Sequence, residues 1–222
     1  MSDSLLNIET FVEPNFGENA FVISTTDERG GKVGWVIDPS FPPQVNQLLE
    51  YIYQQAIGIE KIILTHGHAD HIAGLDYVYQ AHREAGVLIG KGDKSMLADA
   101  NKNLSGPFGM PLVLQTEADE DLEPSMSLIL GQTTWKVLDT SGHSPGGRSL
   151  YCADAGVVIV GDALFAGSIG RTDFPGSDHQ QLIANIRNHL LTLPDEIRVY
   201  TGHGPVTFIG NERKSNPYLS DG

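Results

Sequence analysis

The stretch Thr65-His66-Gly67-His68-Ala69-Asp70-His71 brings three imidazoles and a carboxylate together in one short run. Neutral imidazole nitrogens suit zinc, iron, copper and nickel, and an added carboxylate suits a harder cation or a shared site with a bridging oxygen. His66 and His68 are two residues apart, so in extended backbone their side chains leave on the same side and can grip one ion. Asp70 and His71 follow once the chain begins to turn, so they can face a second ion. The spacing therefore reads as two metal positions. The alternative is a polar loop with coincidental histidines. A lone histidine would fit it well; three with an aspartate fit it poorly.

The remaining ligand candidates arrive much later in the chain. His143 lies in Ser141-Gly142-His143-Ser144-Pro145-Gly146 and His203 in Thr201-Gly202-His203-Gly204-Pro205, while Asp162 follows the apolar run Val157-Val158-Ile159-Val160-Gly161. Each is a polar side chain displayed where a strand ends and the backbone bends sharply, which is the placement a metal ligand needs. Taken singly, each reads equally well as a turn former. His82, His179 and His189 fall on helices or their starts and read as surface or packing residues. Arg148, just after the His143 loop, reads as the surface of a strand edge.

The elements that position these residues follow from periodicity. Leu6, Ile8, Thr10 and Val12 alternate with polar or smaller side chains, and residues 20–26 and 33–37 continue as strands around a turn at Asp27-Glu28-Arg29-Gly30-Gly31. Val45, Leu48, Leu49, Ile52 and Ala56 fall at helical spacing, with Gly58 as the stop signal. A strand over 59–64 delivers the chain to the histidine stretch. A helix over 72–85, a strand over 87–89 and a short helix over 91–100 come next.

Between Asn101 and Pro124, Gly106, Pro107, Gly109 and Pro111 break any regular pattern. That segment reads either as an ordinary surface connection or as a flap near the site. Strands are expected over 127–130, 133–139, 148–153 and 157–160, then a helix over 179–191 and a strand over 197–201. Strands and helices thus alternate in two halves with no linker between them, which predicts one domain, residues 1–222, of α/β class. Its expected architecture is a four-layer αββα arrangement.

Composition narrows the function. The chain has 222 residues, 40% of them hydrophobic, enough for a sizeable core. Its formal net charge of −14 opposes a phosphate backbone and argues against nucleic-acid partners and nuclease activity. Part of that acidity, Glu117, Asp119, Glu120, Asp121 and Glu123, reads as a solvated loop. Cys152 is the single cysteine, so no intrachain disulfide is possible, and its apolar neighbours place it in a packed strand rather than in a nucleophilic role. No secretory signal or membrane span is evident, so a cytoplasmic protein without a membrane partner, monomeric or dimeric, is expected.

The order His66-x-His68-x-Asp70-His71, then His143, Asp162 and His203, resembles the metallo-β-lactamase superfamily over nearly the whole chain. The resemblance implies the αββα fold, with two mixed sheets inside and helices outside. It also implies His66, His68 and His143 on one metal, Asp70, His71 and His203 on a second, and Asp162 bridging both. The segment from Gly161 through Arg171, Thr172, Asp173 and Phe174 to Gly176 is more specific. So is the ending Gly202-His203-Gly204-Pro205-x-Thr207-x-Ile209-Gly210-x-Glu212-x-x-x-Asn216-Pro217-Tyr218. Both resemble the small bacterial glyoxalase II-like branch, the hydroxyacylglutathione hydrolases, without the separate C-terminal helical domain of the larger enzymes.

That branch implies hydrolysis of thioesters such as S-lactoylglutathione by a hydroxide shared between two divalent ions, zinc first, with iron or manganese as the other choices. Asp70 and Asp162 are the expected catalytic carboxylates. Arg171 is the expected substrate clamp, since a guanidinium can hold a carboxylate bidentately; a structural pair with Asp173 or Asp178 is its alternative. Gly170-Arg171-Thr172-Asp173-Phe174 also resembles the persulfide dioxygenases of this fold, which bind one iron through positions corresponding to His66, His143 and Asp162. A non-catalytic, metal-stabilised binding scaffold is the remaining alternative.

Overall fold

A computed structural model describes residues 6–219. The chain opens with an antiparallel meander, β1 (Asn7–Val12), β2 (Asn19–Thr26) and β3 (Lys32–Ile37). Helix α1 (Gln44–Gln55) then crosses over to β4 (Ile57–Leu64), which runs parallel to β3. Short helices α2 (Ala69–Ile72) and α3 (Leu75–Ala81) lead to β5 (Gly86–Ile89) and, after a 3-10 turn at Lys91–Met96, to β6 (Glu120–Asp121), both parallel additions. The first sheet is therefore mixed, in the order β1-β2-β3-β4-β5-β6.

The second half adds β7 (Ser127–Leu130), β8 (Thr133–Asp139), β9 (Arg148–Cys152) and β10 (Val157–Gly161) as an antiparallel run. A small hairpin, β11 (Leu164–Phe165) with β12 (Ser168–Ile169), precedes α4 (His179–Asn185), which continues into a π-helical turn at Ile186–Leu190. Strand β13 (Arg198–Thr201) pairs parallel to β10, and β14 (Thr207–Phe208) and α5 (Ile209–Ser215) complete the described chain. This sheet runs β14-β13-β10-β9-β8-β7 and is also mixed.

Side-chain parity explains the layering. Phe21, Ile23, Trp35, Ile37 and Ile63 of the first sheet meet Trp135, Val137, Leu150, Val157 and Ile159 of the second. Trp35 and Trp135 face each other with ring centroids 5.8 Å apart. The alternate residues Val22, Val36, Ile62 and Leu64 point outward under Val45, Leu48 and Ile52 of α1 and Leu75 and Val78 of α3. Val158, Val160 and Val199 do the same under Leu182, Ile186 and Leu190. Central strands buried on both faces need continuous apolar runs rather than alternation, which is what residues 62–64 and 157–160 supply. The αββα expectation is borne out. No helix among the described residues is long and apolar enough to cross a membrane.

Several local expectations are corrected. The helix expected over 72–85 is broken at Gly74 and ends at Ala81. Gly74 donates to the Pro39 carbonyl at 2.6 Å, and a Cβ there would meet the Ser40 oxygen at 2.6 Å, so backbone packing rather than propensity sets the break. Gly58 lies inside β4, and the α1 cap is Ala56 in left-handed conformation (φ 52°). The acidic stretch is not simply a loop: Glu120 and Asp121 form an edge strand, and the Asp119 carboxylate accepts from Val87 N at 2.8 Å. Arg148 is buried rather than at the surface, donating to the Leu122 carbonyl (3.0 Å), the Gly147 carbonyl (2.8 Å) and the Asp139 carboxylate (3.0 Å).

The loops that carry ligands are stapled by Asp93 in the 3-10 turn. Its fully buried carboxylate accepts from Gly67 N (3.0 Å), between His66 and His68, and from Ser144 Oγ (2.6 Å) and Gly146 N (2.6 Å), beside His143. All three partners are donors, so an amide in this place must aim its own NH2 at one of them. Asp93→Asn is expected to lower stability by about 1–3 kcal/mol, the cost of an unsatisfied buried donor, measured by urea unfolding of the metal-free protein. An unchanged unfolding midpoint would contradict the staple.

Candidate metal centre

The ends of β4, β10 and β13 meet at one edge of the sandwich. Thr65 O accepts from Arg148 N at 2.8 Å, Gly161 O accepts from Gly202 N at 2.7 Å, and Gly202 O accepts from Asn19 N at 2.7 Å. The first and third of these bonds join the two sheets, and the second holds β10 to β13, where the candidate ligand side chains emerge. Gly202 is required here, since a Cβ would collide with the Asp162 carboxylate and the His71 ring.

All seven sequence-expected ligands converge. His66, His68 and His143 form one group whose donor atoms lie within 4.8 Å of one another, and Asp70, His71 and His203 form another. His68 Nδ1 lies 2.9 Å from His143 Nε2. Asp162 sits between the groups, its Oδ1 3.3 Å from His71 Nε2 and its Oδ2 3.6 Å from both His143 Nε2 and His203 Nε2. Asp70 Oδ2 lies 3.2 Å from His203 Nε2. The histidine stretch departs from expectation in one respect: Asp70 and His71 occupy α2, with His68 as its extended N-cap. That change from strand to helix aims Asp70 and His71 at His203, while the His71 ring stays 4.1 Å from that of His66, so the two groups adjoin.

The donor set fits a bound metal. His66 Nε2, His71 Nε2 and Asp162 Oδ1 are buried and have no hydrogen-bond partner, an arrangement that native interiors avoid unless an ion completes it. On four of the five histidines the opposite ring nitrogen is held. His71 Nδ1 faces Asp38 Oδ2 (2.9 Å), His143 Nδ1 the Arg171 carbonyl (2.7 Å), His203 Nδ1 the Phe16 carbonyl (3.1 Å) and His66 Nδ1 the Thr65 hydroxyl (3.2 Å). Each acceptor assigns the proton to that nitrogen and leaves the other lone pair for a metal. Borderline imidazole nitrogens with two carboxylates suit divalent ions.

Electrostatics separates the two groups. Burial pushes His66 well below the usual imidazole range, helped by His71 and His68, and lowers His68 to about 3, with His143 adding to the effect. Burial also disfavours charge on His71, yet Asp162, Asp70 and Asp38 outweigh it and hold His71 well above that range. His203 is raised by Asp70 and Asp162 against the same desolvation. Burial opposes ionisation of Asp162 too, and His71, His203 and His143 override it, keeping the carboxyl well below its usual value.

Asp38 escaped the sequence reading. It follows the apolar Val36-Ile37 at the end of β3, the same signal that marked Asp162, but the Pro39 after it suggests only a turn. Glu18 also escaped: it is fully buried with its carboxylate 3.8 Å from His71 Nδ1, and burial raises its pKa well above the carboxylate range. His179 is an exposed helix start, 3.1 Å from the Thr172 hydroxyl, and His82 and His189 lie away from the site, as expected.

The centre opens into a cavity of about 390 Å³. Asp70, His143, Asp162 and His203 contribute to its floor, and aromatic side chains supply much of the wall. The segment after Asn101 does reach the site, since Leu104, Ser105, Phe108 and Met110 line the cavity. Arg171 lines it too, but its guanidinium is paired bidentately with Asp173 (2.9 and 2.8 Å) and lies 4.5 Å over the Phe174 ring. The glycine- and asparagine-bearing C-terminal motif is structural: Glu212 accepts from Thr207 Oγ1 (2.6 Å), Asn216 Nδ2 (2.8 Å) and Gly167 N (2.9 Å), fixing the hairpin after Asp162.

Known proteins are similar to this chain in sequence and fold. The hydroxyacylglutathione hydrolase GloC of Haemophilus influenzae is 33% identical over 218 residues, covering 97% of this chain and 99% of that protein. The crystal structure of the B3 metallo-beta-lactamase BLEG-1 superposes with a TM-score of 0.87 at 34% identity, over 97% of this chain and 100% of the other. TTHA1623, in a di-iron-bound form, gives a TM-score of 0.81 at 31% identity, over 95% of this chain and 100% of the other. Residues 14–203 match the family described as the metallo-beta-lactamase superfamily, and with these ligands at these strand ends the chain belongs to that superfamily.

Proposed function

We propose that the protein is a two-metal hydrolase of thioesters carried on an anionic thiol, with S-lactoylglutathione-like compounds as the reference substrates and zinc as the resident ion. The observation that carries this reading is the pairing of two complete donor groups, joined by Asp162, on the floor of a cavity whose described lining has no lysine, tyrosine, cysteine or glutamate. Ser105 is the one lining hydroxyl, and it is buried and committed to Asn103 Oδ1 at 2.5 Å. An amine leaving group needs a proton in the transition state; a thiolate, of ordinary pKa near about 8.5, does not. The lining therefore supports a thioester over an amide or lactam.

Divalent ions bound here would supply an activated water at neutral pH and polarise the carbonyl oxygen. The protein's own groups do the rest. Asp162, ionised and nearly buried, bridges the two donor groups and fixes their separation. Asp70 lines the cavity with a carboxyl held below its usual value by His71 and His203 against desolvation, so Oδ2 accepts a hydrogen bond from the attacking water and orients it. Arg171 stands at the wall and clamps the carboxylate of the thiol carrier. Its pair with Asp173 is about two-thirds exposed on both sides, where solvent screens the attraction, so exchanging Asp173 for a substrate carboxylate costs little.

A one-iron persulfide dioxygenase is the second reading. It uses only His66, His143 and Asp162 and leaves Asp70, His71 and His203 converged without a role. GloC, a hydroxyacylglutathione hydrolase similar over the full chain, also supports the hydrolase.

Metal analysis of natively loaded protein, paired with assays of S-lactoylglutathione hydrolysis, penam hydrolysis and persulfide-dependent oxygen uptake, separates the readings. Two ions per chain with thioester turnover are expected; one iron with oxygen uptake overturns the proposal. Asp162→Asn should lose turnover together with metal, because a neutral amide bridges two cations poorly. Arg171→Ala should raise KM for the glutathione thioester with kcat nearly unchanged, and a fall in kcat at constant KM would remove the clamp.

Protons compete with metal for the same lone pairs. His71 and His203 have raised values in the metal-free chain, so as pH falls they regain protons first. His66 and His68, with lowered values, stay unprotonated to much lower pH. Dialysis of loaded protein from about pH 8 towards about pH 5 is expected to release the ion of Asp70, His71 and His203 before that of His66, His68 and His143. Release of both ions in one step would contradict this order.

A further inference from the structure

The cavity walls are specialised in a way that the metal chemistry does not require. On the side of His203, Phe165 stands edge-on to the imidazole at 6.0 Å, and Phe16 and Phe41 stack with centroids 5.5 Å apart. Apart from Asp70 beside His203, the groups named on this flank are phenyl rings; the cavity's one Lys or Arg, Arg171, lies over Phe174, whose ring is 5.6 Å from His68 and 6.1 Å from His143. The two flanks of the centre thus differ: one is built from three phenyl rings beyond the Asp70–His203 pair, the other from a single ring with a guanidinium.

The rim continues the apolar flank outward. Phe16, Phe108 and Met110 are 46%, 64% and 48% exposed, and all three line the cavity. Large apolar side chains clustered at a cavity mouth mark a binding surface. They are also held there. Asn103, fully buried, donates to the carbonyls of Met96 (2.9 Å) and Leu112 (3.0 Å), accepts from Ser105, and at its backbone carbonyl accepts from Ala69 N (3.0 Å), one residue from Asp70. The loop bearing Phe108 and Met110 is therefore pinned to the metal-bearing helix.

From this we infer that the flank built by Phe16, Phe41 and Phe165 is an acyl subsite for aromatic or medium-chain aliphatic groups, so that the preferred thioesters carry an apolar acyl group rather than a small hydroxyacyl group such as lactoyl. The inference rests on the thioesterase reading for which half of the substrate goes where: the thiol carrier's carboxylate belongs with Arg171, and the acyl group then takes the opposite flank. A lactoyl hydroxyl placed among three phenyl rings finds no hydrogen-bond partner and loses its water, whereas each added methylene gains by leaving water.

Two measurements on the full, metal-loaded chain test this. In the first, glutathione thioesters differing only in acyl group (acetyl, lactoyl, hexanoyl, phenylacetyl) are compared by kcat/KM. Hexanoyl or phenylacetyl is expected to exceed lactoyl by about tenfold or more, the discrimination an apolar pocket gives for added methylenes. Phe16→Ser, at an exposed position, and Phe41→Leu should each compress that ratio. In the second, calorimetry compares S-methylglutathione and S-hexylglutathione, which cannot be hydrolysed, and the hexyl thioether is expected to bind about tenfold tighter or better. Lactoyl turnover equal to or above hexanoyl, or equal binding of the two thioethers, overturns the acyl subsite. Absence of hydrolysis for every thioester, with the hexyl preference intact, removes the thioesterase reading and leaves the apolar subsite standing.

Discussion

The centre depends on one buried carboxylate that touches no substrate. Asp38 accepts from Thr65 N (2.7 Å), from Thr65 Oγ1 (2.6 Å) and from His71 Nδ1 (2.9 Å), so a single side chain ties the end of β3 to the end of β4 and to α2. It adopts a positive φ of 50°, which aspartate tolerates better than most residues. Its negative charge fixes which nitrogen of His71 carries the proton and aims the other at Asp162. Through the Thr65 hydroxyl it reaches His66 as well, since an oxygen that donates to Asp38 has its lone pairs left for the His66 N–H. Two ligands from opposite donor groups are thus oriented by one anion, and Asp93 performs the corresponding service for the loops of His68 and His143.

This dependence explains what the sequence discloses. The end of β4 and the whole of β10 are buried on both faces, so their runs of Ile, Leu and Val stand out, and a polar residue at the end of such a run is conspicuous. His66 and Asp162 are legible for that reason, and His203 through its glycine-rich turn Thr201-Gly202-His203-Gly204-Pro205. Asp38 stands in the same kind of place but has partners 27 and 33 residues away, and nothing local separates a carboxylate that holds a histidine from one that starts a turn. Arg148 is similar: its charge suggests solvent, and only the fold supplies Leu122 O, Gly147 O and Asp139 to bury it.

The missed breaks have the same origin. Periodicity carries a helix straight through Ala73 and Gly74 because the apolar spacing of Ile72, Leu75 and Val78 continues across them. The chain departs there because Pro39 and Ser40, just past Asp38, press against the Gly74 backbone. The aromatic flank was invisible for a different reason. Phe16 and Phe41 lie on two separate connections and Phe165 in the small strand β11, and each alone looks like an ordinary core or surface residue.

Charge and apolarity act together at this site. A chain with net charge −14 repels an anionic thioester at long range, and the arginine at the cavity is already paired. The attraction must therefore come from the metal ions, the largest local charges a site of this kind can hold. Their field is strongest where water is excluded, and phenyl rings on both sides of the ligand histidines exclude it. On this view the aromatic walls serve the chemistry as well as the substrate's shape. With a thioester bound they would lower the dielectric around the reacting carbonyl, and they would favour acyl groups that can replace water in the cavity without needing its hydrogen bonds.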